Sequence, residues 1–241
     1  DCGNSGTTMR LLGGIIAGSG VRCTLTGDES LSSRTMKRIT DPLTKMGAVV
    51  SARENAYAPL QFSGHNEDGV RAIRFPLPIA SAQLKSSVLL AGLFGDDDTE
   101  VIEHVQSRDH TERLLKLRRE PYGDGKIIRS SRSDEIPAQN YRVPGDFSAA
   151  AFWLVAGSIH PEADLELNQV GMNPSRTGAY HILEEMGANF TQTNSVFAGK
   201  EPVADIHIKP AHLRAIELDP KLIPNCIDEL PVLMVAMCFA D

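Results

Sequence analysis

The segment SGTTMRLLGGIIAGSG, residues 5–20, begins with small polar residues and continues as an apolar run rich in glycine. Small polar residues are favoured at helix N-caps, so the segment predicts an apolar helix that begins close to Ser5. The same pattern returns in SAQLKSSVLLAGL (81–93), GDFSAAAFWLVAGSI (145–159) and IDELPVLMVAMCFA (227–240). Repetition of this kind indicates that one structural unit recurs along the chain.

A second recurring feature is a Ser-Arg pair followed by an amphipathic helical pattern. The three segments are SLSSRTMKRITDPLTKMGA (30–48), VQSRDHTERLLKL (105–117) and MNPSRTGAYHILEEMGA (172–188). Their Ser-Arg pairs are 74 and 68 residues apart, which is longer than the common solenoid repeats. Two segments end in Met-Gly-Ala, and we predict Gly47 and Gly187 as helix C-caps.

Runs with β-strand character lie between the helical segments. They are VRCTLTGD (21–28), TEVIEHV (99–105), KIIRSS (126–131), ADLELNQV (163–170) and ADIHIKP (204–210). We therefore predict an α/β (α+β) fold of repeated βαβαββ units in two domains, both incomplete. The prolines of PAQNYRVP (137–144) place the boundary at 143. Residues 1–143 then hold two repeat units, and residues 144–241 hold one unit and the start of the next.

The composition indicates a soluble globular protein. The 241 residues are 41% hydrophobic, and the formal net charge of −7 argues against a general nucleic-acid binder. No apolar run approaches the ~18 residues that span a bilayer, and no signal peptide opens the chain. The four cysteines form no CxxC pair and no zinc-ligand spacing, which favours a reducing cytoplasm and predicts no metal or cofactor.

Several of the helix starts have the composition of anion sites. Helix N-termini attract anions through free N–H groups and the positive end of the helix dipole. In Asn4-Ser5-Gly6-Thr7-Thr8, Gly6 lets a ligand approach the backbone, and Thr7 can cap the helix or donate a hydrogen bond. Arg34 suits a carboxylate or phosphate, and Ser81-Ala82-Gln83 opens the next helix with small and amide groups. Taken alone, the stretches 4–8 and 81–83 are better explained by ordinary helix capping, and Arg34 is equally well explained as a surface arginine.

Charged residues mark two further helix starts. Arg108 is a ligand candidate, while Asp109, His110 and Glu112 fit structural roles at the start of a helix. The Asp228-Glu229 pair precedes the last apolar helix, where either carboxylate can cap it. A carboxylate that faces an anion pocket can also work as a general base. The residues by themselves do not decide between these roles, although convergence of the repeated helix starts would create a local cationic site.

The motifs together resemble the EPSP synthase family. They cover nearly the whole chain in the family's order, and the Ser-Ala-Gln, Arg-Asp-His-Thr-Glu and Asn-Pro-Ser-Arg-Thr motifs resemble its class II branch. The matching stretches are DCGNSGTTMRLL (1–12), GDESLSSR (27–34), ASAQLKSSVLLAGL (80–93), SRDHTE (107–112), VPGDFSAAAFWLVA (143–156), MNPSRTG (172–178) and LIPNCIDELPVL (222–233). The resemblance implies the two-domain enolpyruvyl transferase fold.

The resemblance also implies a reaction and a set of site residues. The family transfers the enolpyruvyl group of phosphoenolpyruvate to the 5-hydroxyl of shikimate-3-phosphate in aromatic amino-acid biosynthesis, by addition and elimination and without a metal. Carried over by motif, the residues that bind phosphoenolpyruvate are Asn4, Gly6, Thr7 and Arg34. Gln83 contacts both ligands, and Ser81, Ala82 and Arg108 bind shikimate-3-phosphate. Asp228 takes the proton of the attacking hydroxyl. No nucleic acid and no membrane are expected as partners.

This chain departs from the family pattern in two ways. Thr35 follows Arg34, where the family usually has proline, so the next helix is expected to start less rigidly. The family also has residues on both sides of the stretch seen here, including further lysine and arginine ligands and a catalytic glutamate. We therefore expect the isolated chain to have negligible activity, and to self-associate through exposed apolar surface.

Three other interpretations differ from this one in the ligand or in the chemistry. The related enolpyruvyl transferase that acts on UDP-N-acetylglucosamine shares the fold and phosphoenolpyruvate, but GDESLSSR and SRDHTE favour the shikimate branch. A non-catalytic anion-binding module would bind shikimate-3-phosphate without turnover. A fragment that needs a complementary chain would instead regain activity when it is mixed with the missing segments.

Overall fold

The computed structural model describes residues 1–64, 69–136, 138 and 140–241. The chain forms two compact units, Asp1–Gln106 with Leu115–Pro137, and Ser107–Leu114 with Ala138–Asp241. The sequence places the domain boundary at 143, whereas the units separate after residue 137 and Ser107–Leu114 groups with the second unit. Pro137 and Gln139 of the predicted boundary segment lie outside the described residues.

The order of helix, strand, helix and two strands occurs three times along the described chain. The first copy consists of α1 (Gly6–Ser19), β1 (Cys23–Leu25), α2 (Glu29–Ser32), α3 (Lys37–Lys45), β2 (Val50–Arg53) and β3 (Tyr57–Phe62). The second consists of β4 (Arg74–Pro76), α4 (Ala82–Gly92), β5 (Thr99–Glu103), α5 (His110–Leu114), β6 (Arg118–Tyr122) and β7 (Gly125–Ser130). The third consists of α6 (Phe147–Ile159), β8 (Leu165–Gly171), α7 (Gly178–Glu185), β9 (Asn189–Ala198) and β10 (Glu201–Lys209). A 3-10 helix (Pro220–Asn225) and α8 (Leu230–Met237) follow.

The three sheets share one topology. Their strand orders are β1-β3-β2, β5-β7-β6 and β8-β10-β9, so the last strand of each copy is central and pairs antiparallel with both neighbours. In the second sheet β4 adds to the edge, parallel to β5, and completes the βαβαββ order. A parallel bridge between Gly145 and Val170 stands at the equivalent place in the third copy. The repeat expected from the sequence is thus confirmed as a structural unit.

Glycines allow α1 and α4 to pack in direct contact within the first unit. A Cβ atom on Gly14 would lie 2.2 Å from the carbonyl oxygen of Ser87, and one on Gly18 would lie 2.8 Å from that of Ala91. Both pairs have the same separation along the chain, so the two helices run parallel. Their N-termini consequently lie at the same end of the helix pair, which decides where the polar helix starts meet.

A buried ion pair joins α4 to β5. The Lys85 side chain on α4 is fully buried, and its Nζ lies 3.0 Å from Oε1 of Glu103, whose side chain is 1% exposed. The other carboxylate oxygen of Glu103 lies 3.0 Å from Nζ of Lys126. A buried ion of this kind is tolerated because its counter-charge is fixed beside it.

Two helices end at the Met-Gly-Ala motifs, as the sequence predicts, but the C-cap residue is the methionine and the predicted glycine follows it. Helix α3 ends at Lys45, and α7 ends at Glu185, each followed by a methionine C-cap. The next residue has a positive φ in both cases, +97° at Gly47 and +92° at Gly187. A residue with a Cβ disfavours this conformation, so the glycines terminate the helices.

The second unit has its own core and an apolar surface. Its core includes Phe147 and Leu154 of α6, Ile182 of α7 and Ile206 of β10. Apolar side chains on α6 and α8 remain more than 40% exposed: Phe152, Trp153, Met234 and Val235. This surface is the basis of the expected self-association, which stays a prediction. None of the helices in the described ranges is long and apolar enough to cross a membrane.

Tyr180 provides a test of packing in the second unit. Its ring is buried against Phe190, with centroids 5.2 Å apart, and burial together with the charge of Glu184 raises its pKa to about 12. The folded chain therefore favours the neutral phenol above the ordinary tyrosine pKa of about 10. This contribution to stability is complete below about pH 10 and is lost as the pH rises through about 12.

We expect an ultraviolet titration to show one phenolate that forms close to pH 12, before the second unit unfolds. Tyr180→Phe should remove that phase, while Tyr141→Phe, which changes an exposed ring, should leave it intact. Persistence of the late phase in Tyr180→Phe would contradict the assignment.

Candidate functional site

The loop before α1 is fixed by hydrogen bonds to the loop before α2. Ser5 caps α1, because its Oγ accepts from the backbone N–H of Thr8 at 3.1 Å. The Asn4 amide donates to Asp28 at 2.8 Å, and its oxygen accepts from Nη2 of Arg34 at 2.8 Å. The backbone N–H of Leu31 and the Asn4 amide hold the pKa of Asp28 below its ordinary value. The ionised Asp28 thus orients Asn4, and Asn4 orients Arg34.

Arg34 lies over the start of α1. Ser30 also accepts from its Nη2, at 3.1 Å. A Cβ atom on Gly6 would lie 3.7 Å from Nη1 of Arg34, so the guanidinium stands beside the first turn of the helix. The next helix, α3, begins only at Lys37, and Met36 at its N-cap makes no side-chain capping bond. The less rigid start expected where Thr35 replaces proline stays a prediction. Arg34 therefore lies in a short non-helical connection.

The start of α4 meets the start of α1. Ser81 is the N-cap residue of α4, and its Oγ accepts from the N–H of Leu84 at 3.4 Å; Ala82 is the first helical residue. The Gln83 amide nitrogen donates to Oγ1 of Thr7 at 2.8 Å. The parallel packing of the two helices brings these residues together, although they are far apart in the sequence.

Arg10 is a member of this cluster that the sequence analysis missed. Its Nη1 donates to Oε1 of Gln83 at 2.7 Å. Burial lowers the pKa of Arg10, and the nearby charges of Arg38 and Arg34 lower it further. The spacing of Thr7 and Arg10, three residues apart on one helix face, is the signal that could have identified it.

In the second unit, Arg108 and Asp228 form an ion pair. Nη1 of Arg108 lies 3.2 Å from Oδ2 of Asp228, and Nη1 of Arg176 lies 3.2 Å from the same oxygen. The Asp228 side chain is 50% exposed, whereas that of Arg176 is 13% exposed. Asp228 is thus held from two sides and remains open to solvent.

Arg176 also joins the starts of two helices. It contacts Asp146, the N-cap of α6, at 3.3 Å and donates to Ser148 Oγ. The Ser148 hydroxyl donates in turn to Glu229, which occupies the N-cap position of α8 but makes no side-chain capping bond. The expectation that Asp228 or Glu229 caps α8 through its side chain is therefore not met.

The acidic residues around α5 have structural contacts. Asp109 is 4% exposed and accepts from the Asn173 amide at 2.9 Å and from Nε of Arg113 at 2.8 Å. His110 lies 3.0 Å from a carboxylate oxygen of Glu201 at the start of β10. Helix α5 itself spans only His110–Leu114, shorter than the predicted amphipathic segment.

Each cluster has a definite chemical capability. In the first unit two guanidiniums, two helix N-termini and an amide lie together, an arrangement that binds carboxylate or phosphate. In the second unit a fixed, solvent-accessible carboxylate lies beside an arginine, so it can accept a proton from a hydroxyl of a ligand that the arginine binds.

The chain is similar in sequence to proteins of one family. It matches a family model described as EPSP synthase (3-phosphoshikimate 1-carboxyvinyltransferase) over residues 1–241. Curated proteins named 3-phosphoshikimate 1-carboxyvinyltransferase include those of Salinibacter ruber and Gloeobacter violaceus, each 49% identical. Each alignment covers 100% of this chain and 56% of the relative, so the chain spans about half the length of the curated relatives it matches.

Solved structures show the same relationship. The EPSP synthase of Acinetobacter baumannii superposes with a TM-score of 0.86 at 42% identity, covering 99% of this chain and 54% of that one. The enolpyruvyl transferase NikO of Streptomyces tendae superposes with a TM-score of 0.65 at 15% identity, over 95% of this chain and 53% of that one. The second match shows that the fold is shared.

Proposed function

Because the chain belongs to the EPSP synthase family, we propose that it takes part in the transfer of the enolpyruvyl group from phosphoenolpyruvate to the 5-hydroxyl of shikimate-3-phosphate. The hydroxyl oxygen adds to C2 of phosphoenolpyruvate and loses its proton, while the methylene carbon gains one. Loss of that carbon's proton and of inorganic phosphate restores the double bond. Both substrates are anions, so catalysis depends on their positioning and on fixed cationic groups that stabilise them.

The observation that carries the proposal is the meeting of the α1 and α4 N-termini beside Arg34. Phosphoenolpyruvate carries a carboxylate and a phosphate, and both suit guanidinium and helix N–H donors. In this proposal Arg34 binds an anionic group of the ligand, and Gly6 leaves its backbone accessible. Asn4 and Thr7 support the two side chains that contact it, Arg34 and Gln83.

The remaining roles are proposed for each unit separately. In the first unit Ser81 and Ala82 at the start of α4 contact shikimate-3-phosphate. In the second unit Arg108 binds this substrate, and Asp228 is the base that receives the hydroxyl proton. The 3.2 Å contact between them supports this division of roles, since a ligand group bound by Arg108 would lie beside the carboxylate. The four free cysteines favour a reducing cytoplasm as the location.

Calorimetric titration of the purified chain with shikimate-3-phosphate tests the proposal. We expect saturable binding that weakens about 10- to 100-fold in Arg108→Ala, the usual effect of losing a hydrogen bond to a charged group. Arg214→Ala, which removes an exposed arginine of the same unit, should bind like the parent chain. UDP-N-acetylglucosamine should not compete.

A phosphate-release assay with both substrates separates binding from turnover. Binding without release identifies a substrate-binding portion of the enzyme. Release that is lost in Asp228→Asn places the chemistry within these residues as well. Absence of both binding and release would contradict the proposed function of this chain.

A further inference from the structure

We propose that Arg10 is a positioning residue of the anion site in the first unit, because it fixes which end of the Gln83 amide faces Thr7. The proposal includes Gly6, whose lack of a side chain leaves room for the Arg10 guanidinium. It rests on the proposed function for the identity of the ligand, although the contacts themselves involve only residues of this chain.

The two ends of the Gln83 amide have different partners. Its Oε1 accepts from Nη1 of Arg10 at 2.7 Å, and its Nε2 donates to Oγ1 of Thr7 at 2.8 Å. A threonine hydroxyl can donate or accept, so Thr7 tolerates either orientation of the amide. Arginine has only donors, so Arg10 can bond to the Gln83 amide only when Oε1 faces it. The orientation that remains leaves the second N–H of Nε2 available to an anionic ligand.

Helix geometry explains why Arg10 reaches this position. Side chains on a helix lean toward its N-terminus, so the side chain of Arg10 lies over Gly6, which is four positions earlier. A Cβ atom on Gly6 would lie 2.8 Å from Nη1 and 3.5 Å from Cζ of Arg10. Alanine at position 6 would therefore displace the tip of Arg10 and break its bond to Gln83. The contact of Arg10 with Gln83 therefore depends on the absence of a side chain at Gly6.

Arg10 lies among other positive charges. Arg34 and Arg38 lie close enough to disfavour its charge, while Asp28 accepts hydrogen bonds from Asn4 and from the N–H of Leu31. The Arg10 guanidinium nevertheless stays protonated, as arginine does in proteins. Its hydrogen bond to Gln83 is therefore charge-assisted and polarises the amide, while the positive charge stays on the guanidinium.

Nuclear magnetic resonance of the Gln83 side-chain amide tests the positioning role without any ligand. With the resonance assigned by its loss in Gln83→Ala, we expect Arg10→Met to shift both Nε2 protons toward the values of a free glutamine. Gly6→Ala should shift them in the same direction, and Arg10→Lys should restore part of the native shift. Arg38→Met, which removes a neighbouring exposed charge, should leave them in place. An amide unmoved by Arg10→Met would overturn the proposal.

A double-mutant cycle with phosphoenolpyruvate gives the functional readout. We expect Arg10→Met and Gln83→Ala each to weaken binding about tenfold. If Arg10 acts through Gln83, the double variant binds no more weakly than Gln83→Ala alone, whereas independent roles would give about a hundredfold loss. If the parent chain binds no phosphoenolpyruvate, the ligand assigned to this site is wrong, while the amide resonance still decides the role of Arg10.

Discussion

Replacing Glu103 by glutamine is expected to lower the free energy of unfolding of the first unit by about 3–5 kcal/mol. The substitution keeps the shape of the side chain but removes the carboxylate that lies 3.0 Å from the fully buried Nζ of Lys85. The ammonium then loses its counter-charge in a medium where an ion is strongly disfavoured. Urea unfolding followed by circular dichroism measures the change.

Glu120→Gln is the matched control. It makes the same substitution on β6, where the carboxylate is 60% exposed and lies 2.6 Å from Arg129. Exposed pairs contribute less than about 1 kcal/mol, so this variant should unfold close to the parent. If Glu103→Gln and Glu120→Gln lowered the free energy of unfolding equally, burial of the ion pair with Lys85 would not explain the loss of stability.

Gly14→Ala is expected to destabilise the first unit by about 3 kcal/mol and to weaken anion binding as well. Alanine at an ordinary helix position gains about 1 kcal/mol over glycine. Here the new Cβ would stand 2.2 Å from the backbone oxygen of Ser87, so α1 and α4 must move apart. Their separation also draws Thr7 and Arg10 away from Gln83, and the Gln83 amide resonance should shift.

Gly13→Ala controls for helix propensity on the same helix. Its Cβ would meet only side-chain atoms, Cδ1 of Ile39 at 3.2 Å and Cζ of Phe62 at 3.6 Å, and the tip of Ile39 can yield. We expect its stability to lie within about 1 kcal/mol of the parent, because the propensity gain offsets the tight contact. A Gly14→Ala variant as stable as Gly13→Ala would contradict the direct contact of the two helices.

The repeated helices were predictable, whereas several strands were not. Apolar segments with polar starts gave α1, α4, α6 and α8 close to their observed positions. Strand β6 was missed because all five of its residues, RREPY, are exposed, so no alternation of apolar and polar residues marks it. Strand β9 is an edge strand with mostly exposed residues and was missed for the same reason. The alternation of apolar and polar residues marks a strand only where one face is buried, and these two edge strands bury few side chains.

Most residues of the candidate site in the first unit were predictable from the sequence, but the contacts among them were not. Asn4, Gly6, Thr7, Arg34 and Gln83 were identified, and the structure brings them together in the first unit. Their functional roles stay predictions. Arg10 was overlooked because it stands inside an apolar helix, and its contact with Gln83 follows from the register between two helices. Local pattern does not specify that register.

The parallel alignment of α1 and α4 has an electrostatic consequence. Two helix dipoles that point the same way place about half a positive charge each at the same end, where Arg10 and Arg34 add full charges. Antiparallel neighbours would cancel such fields, but these reinforce one another. The close glycine-mediated packing therefore holds together an end whose positive charges repel one another. The proposed anion would relieve part of this repulsion, so ligand occupancy and stability of the first unit should rise together.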